Sequence, residues 1–196
     1  MAHARVEGGE LRRLRPSDLE SFRGHLLRLD QQSRFERFAM AASDEFLHAY
    51  AARCFGIDDV IFGFFVDGML RGAGELRPVA TGAHDASAEA AFSVEAGWRR
   101  RGVGTALMEQ IVAAARERQT ETLYMSCLAT NEAMQGLVKR FAADLRFDDD
   151  PLTGRLVART PRGQALWDEG IEESASFSTA TLDLTTNQVA MQGQGA

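Results

Sequence analysis

Apolar positions recur at helical spacing in the first quarter of the chain and then give way to dense, strand-like runs. Leu11 to Arg15 reads as a short strand ended by Pro16. Ser17 is placed to cap a helix, with Glu20 three residues on, the spacing of a capping box. Leu19, Phe22, Leu26 and Leu29 then follow at helical intervals. A second helical patch carries Phe35 and Phe38. A third, from about Ser43, puts Phe46, Leu47, Tyr50 and Cys54 on one face. The texture changes at Ile57. Val60 to Val66 is a continuous apolar run followed by Asp67-Gly68, a strong hairpin signal. Met69 to Leu76 is the return strand, Pro78 to Ser87 a loop of small residues, and Ala88 to Val94 the next strand.

Gly102 to about Arg118 has the pattern of an amphipathic helix, with Val103, Leu107, Met108, Ile111, Val112 and Ala115 on one side. Leu123 to Leu128 reads as a strand, and Asn131 to Asp144 as a helix with Met134, Leu137, Val138 and Phe141 inward. Leu145 to Asp148 and Gly154 to Arg159 form a candidate final hairpin. Beyond Pro161 the periodicity weakens, and the last ten residues are expected to lack fixed structure. Ala180, Leu182 and Leu184 alternate and could add an edge strand, one able to pair across a dimer. The order predicts an α+β fold, with a mixed central sheet of about six to seven strands flanked by helices.

Composition narrows the class. The 196 residues suit one domain, expected at 11–160, between an N-terminal extension (1–10) and a C-terminal extension (161–196). A net charge of -6 argues against a nucleic-acid surface. No apolar run is long enough to span a membrane, and the first residues lack a signal-peptide core. Cys54 and Cys127 form no CxxC pair and read as free thiols, so a cytoplasmic protein is expected. His3, His25 and His48 show no metal-ligand spacing, and no metal is predicted. The sequence is nearly silent on assembly, monomer or homodimer.

The strongest site signal runs from Val94 to Leu107. A strand ends, Arg99-Arg100-Arg101 follows, and Gly102-Val103-Gly104-Thr105 opens the long helix. Glycines allow backbone conformations that side chains block. The free N–H groups of a helix start carry the positive end of its dipole and suit a pyrophosphate. The three arginines add charge-assisted donors. The bland alternative is a tight turn into a surface helix. No Walker lysine follows, and the three-glycine dinucleotide fingerprint is missing.

Arg99-x-x-Gly102-x-Gly104 resembles the Q/R-x-x-G-x-G/A signature of the GNAT acetyltransferases. Ala88 to Val94 resembles the family's fourth strand, and Asn131 the asparagine that opens its next helix beside the CoA arm. Arg15-Pro16-Ser17-Asp18 and Ser33-Arg34-Phe35-Glu36-Arg37-Phe38 are similar to stretches of bacterial protein-lysine acetyltransferases. The resemblance covers roughly Leu11 to Arg159. It implies acetyl-CoA as cosubstrate, with two central strands splayed around the thioester. Backbone near Phe92 and Val94 would meet the pantetheine and could stabilise an oxyanion.

It implies acyl transfer to an amine, and a lysine-like amine is almost entirely protonated at pH 7. A general base is therefore needed. Glu89 is the first candidate, since related lysine acetyltransferases carry a glutamate at that place; Glu75 on the neighbouring strand is the reserve. Both could equally be salt-bridged strand residues. Many family members use a tyrosine in the helix after the asparagine, where this chain has Phe141; its only tyrosines are Tyr50 and Tyr124. Cys127 reads as a small buried residue, His84 as a surface histidine, and Asp148 to Asp150 as a solvated turn. No Cys-His or Ser-His-Asp constellation is evident. The acceptor is expected to be a protein lysine, with a small amine or amino acid as the alternative. A sensor that binds acyl-CoA without turnover is the reading from another class.

Overall fold

The computed structural model describes residues 8–79, 87–120, 122–128, 130–141 and 153–159, the last stretch as backbone. All lie in the first of two compact units, residues 1–163 and 164–196. Six strands form one sheet in sequence order: β1 (Glu10–Arg13), β2 (Val60–Val66), β3 (Met69–Val79), β4 (Ser87–Val94), β5 (Thr122–Leu128) and β6 (Thr153–Arg159). Neighbours are antiparallel except β4 and β5, which are parallel. Helices α1 (Leu19–Arg28), α2 (Gln31–Phe38) and α3 (Asp44–Ala52) lie between β1 and β2; α4 (Val103–Glu117) joins β4 to β5, and α5 (Glu132–Phe141) follows β5. The expected mixed α+β sheet is present.

Local chemistry explains most boundaries. Asp67 and Gly68 both adopt positive φ (50° and 75°), as a two-residue hairpin turn requires. Ser43 caps α3 by accepting from the Phe46 N–H, and Asp30 caps α2 by accepting from the Ser33 N–H. The expected Ser17 cap is not used. Pro16 to Asp18 make a 3-10 turn instead, and Asp18 reaches back to the Arg15 N–H and to both terminal nitrogens of Arg12. Strand β3 runs past Leu76 to Val79 because Pro78 and Val79 still pair with Ala88 and Ser87. Strand β6 pairs antiparallel with β5. The proposed partner strand at 145–148, His84, the acidic run at 148–150 and the alternating run at 180–184 lie outside the described residues.

Alternation along the strands divides the core in two. Leu76, Ala88, Ala90, Leu123, Met125 and Cys127 pack against α4. Ile61, Phe65, Leu70 and Ala73 face the other way, onto Phe22, Leu26 and Leu47 of α1 and α3. Gly63 lies where side chains converge. A Cβ there would stand 2.6 Å from Leu70 Cδ1 and 2.7 Å from Leu14 Cδ2. Gly63→Ala should therefore lower stability by about 1–3 kcal/mol through overpacking. Urea denaturation checks this; an unchanged midpoint would mean that the Leu14 and Leu70 side chains move aside freely.

Candidate active site

Strand β4 is paired with β3 along its whole length, from Ser87↔Val79 to Val94↔Gly72. With β5 it is paired only from Ser87↔Thr122 to Glu89↔Tyr124. Beyond Glu89 the two strands part, and Ala90 to Val94 have no β5 partner. The fork opens toward the C-terminal end of β4, where the glycine-rich turn begins.

At that turn Gly102 takes φ +81°, a conformation costly to residues with a Cβ, and a Cβ there would meet nothing within 4 Å. The first helical bond runs from Ala106 N–H to Gly102 C=O, and no side chain caps the start. The N–H groups of Val103, Gly104 and Thr105 thus precede the first bonded turn, at the positive end of α4. These features, with open space above Gly102, fit an anionic group. The arginines are less uniform than their spacing implied. Arg99 turns toward α2, donating from Nη2 to Ser33 Oγ (2.7 Å) and Glu36 Oε2 (3.0 Å). Arg101 lies over the Trp98 ring, 4.9 Å from its centroid, and Trp98 in turn meets Phe64 edge-on. Arg100 adopts φ 62°, unusual outside glycine. Asn131 caps α5, its Oδ1 accepting from the Met134 N–H at 3.0 Å.

The two candidate bases share one face of the sheet. Arg77 pairs with Glu89 and Glu75 with Ala91, so Glu75, Arg77 and Glu89 point away from α4. Their states differ. Glu75 is 1% exposed and accepts from Arg37 Nη2 (2.9 Å), Tyr50 Oη (2.8 Å) and Arg77 Nη2 (2.8 Å). Burial alone would raise its pKa, but the two guanidinium groups and the phenol hold it below the ordinary value. Glu89 is half-buried. Its pKa is raised, first by desolvation and further by Glu75, with Arg37 and Arg77 opposing. Tyr124 stands opposite Glu89 at the apex of the fork. Phe141 packs into the core against α4's cluster.

A second polar cluster escapes sequence reading. His25, 0% exposed, sits in α1 with Nε2 2.9 Å from Ser93 Oγ and Nδ1 3.3 Å from Glu95 Oε1. Arg28 and Arg71 donate to the same carboxylate, each at 2.9 Å. Burial lowers the His25 pKa, so the neutral ring donates from Nδ1 and accepts from Ser93. This is a Ser-His-Glu chain, but its serine and histidine are sealed under α1. It fastens the splayed half of β4 to the helix layer. The only hint in the sequence was a histidine at an inward position of α1. The large groove lined by Arg12 to Asp18 lies at the β1 edge, three strands from the fork.

The sequence profile of the acetyltransferase (GNAT) family matches residues 24–142. The chain belongs to this family. Membership makes it an acyl-CoA-dependent N-acetyltransferase. No curated protein matches the sequence. Among solved structures, the GNAT domain of S. lividans PAT is 22% identical, with 78% of this chain and 90% of that one covered at a TM-score of 0.68. The Escherichia coli ribosomal-protein-S18-alanine N-acetyltransferase is 19% identical, with coverages of 82% and 99% and a TM-score of 0.55. The structure of yncA from Salmonella typhimurium, solved with its cofactor acetyl-CoA, is 13% identical, with coverages of 81% and 98% and a TM-score of 0.57. At these identities the likeness is one of fold.

Glu95 gives a pH test of the second cluster. Its bonds to His25, Arg71 and Arg28 outweigh burial and hold its pKa at about 2, against an ordinary 4.5. A depressed carboxylate stabilises the fold above pH 4.5, and that stability is lost as pH falls toward 2. Glu95→Gln should make stability less sensitive to pH across that window, measured by urea midpoints from pH 2 to 5. A slope equal to wild type would show that Glu95 carries no such linkage.

Proposed function

We propose that this GNAT enzyme transfers an acetyl group from acetyl-CoA to the side-chain amine of a protein lysine, by direct attack in a ternary complex. The observation that carries the reading is the fork itself. Strand β4 parts from β5 immediately after Glu89, and the same strand leads into the Gly102 turn. One element thus runs from Glu89, where β4 and β5 part, to the turn at Gly102, which supports reading the first as the proton acceptor and the second as the anion site.

Acetyl-CoA supplies the acyl carbonyl and a thiolate leaving group. The protein's tasks follow from the residues present. The N–H groups of Val103, Gly104 and Thr105 hold the pyrophosphate, with Arg100 and Arg101 adding positive charge and Arg99 shared with α2. Main-chain groups around Phe92 and Val94, free of β5, receive the pantetheine arm. Asn131 keeps its amide donors for the same arm while its oxygen caps α5. Glu89 takes the proton of the attacking amine. Burial makes Glu89 a stronger base than an exposed carboxylate, whereas the three donors on Glu75 make that residue a poor one. Glu89 is therefore preferred over Glu75.

Support for a protein acceptor comes from two sides. The motifs Arg15–Asp18 and Ser33–Phe38 resemble those of bacterial protein-lysine acetyltransferases, and the S. lividans protein acetyltransferase domain shares the fold. A cytoplasmic location belongs with this reading.

Calorimetric titration with acetyl-CoA, free CoA and ATP tests the cofactor side. Gly102→Glu should weaken acetyl-CoA by roughly 100-fold or more, because it strains a positive-φ site and sets an anion at the pyrophosphate. Unaltered affinity in a folded variant would refute the turn as the cofactor site. Glu89→Gln should keep acetyl-CoA affinity and lower kcat by about 10²–10⁴-fold. Thiol release with lysine peptides and with small amines reads both the base and the acceptor class; turnover only with small amines would overturn the protein-lysine assignment.

A further inference from the structure

The Arg37–Glu75–Arg77 cluster has more positive charge than its own neutrality requires. One guanidinium would balance the Glu75 carboxylate, yet two converge on it from different elements, Arg37 from α2 and Arg77 from β3. The surplus one is not placed at random. Arg77 is the cross-strand partner of Glu89 and shares its face. Its Nη2 is nevertheless directed at Glu75 Oε2 (2.8 Å) and at Cys54 Sγ. An arginine bonded directly to Glu89 would cap the carboxylate and blunt its basicity. An arginine held one carboxylate away acts on Glu89 through its field alone and leaves the oxygens open.

We infer that the Arg37–Glu75–Arg77 lock is a positioning device for Glu89, holding a net positive charge beside that carboxylate so that it stays ionised despite its partial burial. The inference rests on Glu89 as the base. Among the described residues, the groups facing Glu89 are Arg77 and Glu75 of β3, Arg37 of α2, Tyr124 of β5 and, behind Glu75, Tyr50 of α3. The Tyr50 phenol is kept neutral, its pKa raised well above the ordinary value by burial. The charged members are therefore two arginines and one carboxylate, which leaves one positive charge. Burial pushes the Glu89 pKa up while Arg37 and Arg77 pull it down, in keeping with this geometry.

The charges give the lock a signature that packing cannot imitate. Arg77→Gln removes a positive charge and should raise the titration midpoint of Glu89. Glu75→Gln keeps the shape but removes a negative charge, and should lower it. Each shift should be roughly half a pH unit or more. Arg77→Lys should hold the midpoint close to wild type. Side-chain carboxyl 13C NMR of the full chain, with the Glu89 signal identified by its loss in Glu89→Gln, reads these midpoints without any acceptor. The acid limb of thiol release from acetyl-CoA with a polylysine acceptor should move with them.

Shifts of opposite sign support the lock. If Glu75→Gln fails to fold, the Arg77→Gln and Arg77→Lys pair still decides it, because Arg77 is 28% exposed and its loss leaves Arg37 on Glu75. An unmoved Glu89 midpoint in folded Arg77→Gln overturns the inference and leaves Glu89 as the base untouched. A midpoint that moves while the acid limb persists in Glu89→Gln supports the coupling and overturns Glu89 as the base.

Discussion

Strand β4 has two different neighbours, and that asymmetry organises the protein. Eight residues pair antiparallel with β3, but only three pair parallel with β5. The antiparallel side fixes which face each β4 residue occupies. The parallel side needs a crossover, and α4 supplies it, so the start of α4 necessarily stands just past the end of β4. The glycine-rich turn is the junction of strand and crossover. Its place beside the fork is a consequence of topology. Two devices keep the fork open: the seal of Ser93, His25 and Glu95 fastens β4 on one face, and Ala90 and Phe92 pack toward α4 on the other.

Buried charge is concentrated where the chain needs long-range fixing. Glu75 accepts from α2, α3 and its own strand, and Glu95 from α1 and β3. Each carboxylate is matched by more than one donor, as a buried charge must be to avoid a large desolvation penalty. Helix α2 is the shortest α-helix among the described residues, yet Glu36 and Arg37, adjacent in its sequence, reach Arg99 of the glycine turn and Glu75 of the sheet. Arg34 of the same helix donates to the carbonyls of Leu27, Leu29 and Ala42, fixing its angle to the neighbouring segments. The Ser33–Phe38 motif is thus mostly a set of side-chain ties.

What the sequence made legible was local or periodic. The Asp67-Gly68 turn, the Ser43 cap, the long helix after Gly102 and the strand leading into it follow from residues a few positions apart. The α+β order and the mixed character of the sheet could be read from them. The positions that were missed involve pairing across long separations. Nothing local joins Arg37 to Glu75 or His25 to Glu95, and only strand register could place Glu75 and Glu89 on one face. Arg99 illustrates the limit: its spacing before the glycines drew attention to phosphate, while its partners Ser33 and Glu36 lie more than sixty positions away. Ser17 failed as a cap for a nearer reason. Pro16 preset a tight 3-10 turn, and the Asp18 carboxylate bonded backward to Arg15 and Arg12.

The three helices between β1 and β2 form a single excursion whose two ends are clamped by the pairing of Arg13 with Phe62. Closing a loop costs entropy that grows only with the logarithm of its length, about 0.6 kcal/mol for each doubling. Residues inserted between α1 and α2, or between α2 and α3, would add little to that cost. The face of the sheet that bears Glu75 and Glu89 is covered by this excursion, while the glycine turn lies on the separate β4–α4 junction. A lineage can therefore lengthen or reshape the cover over one face at small entropic expense, while the junction that gathers the N–H groups of Val103 to Thr105 stays as it is.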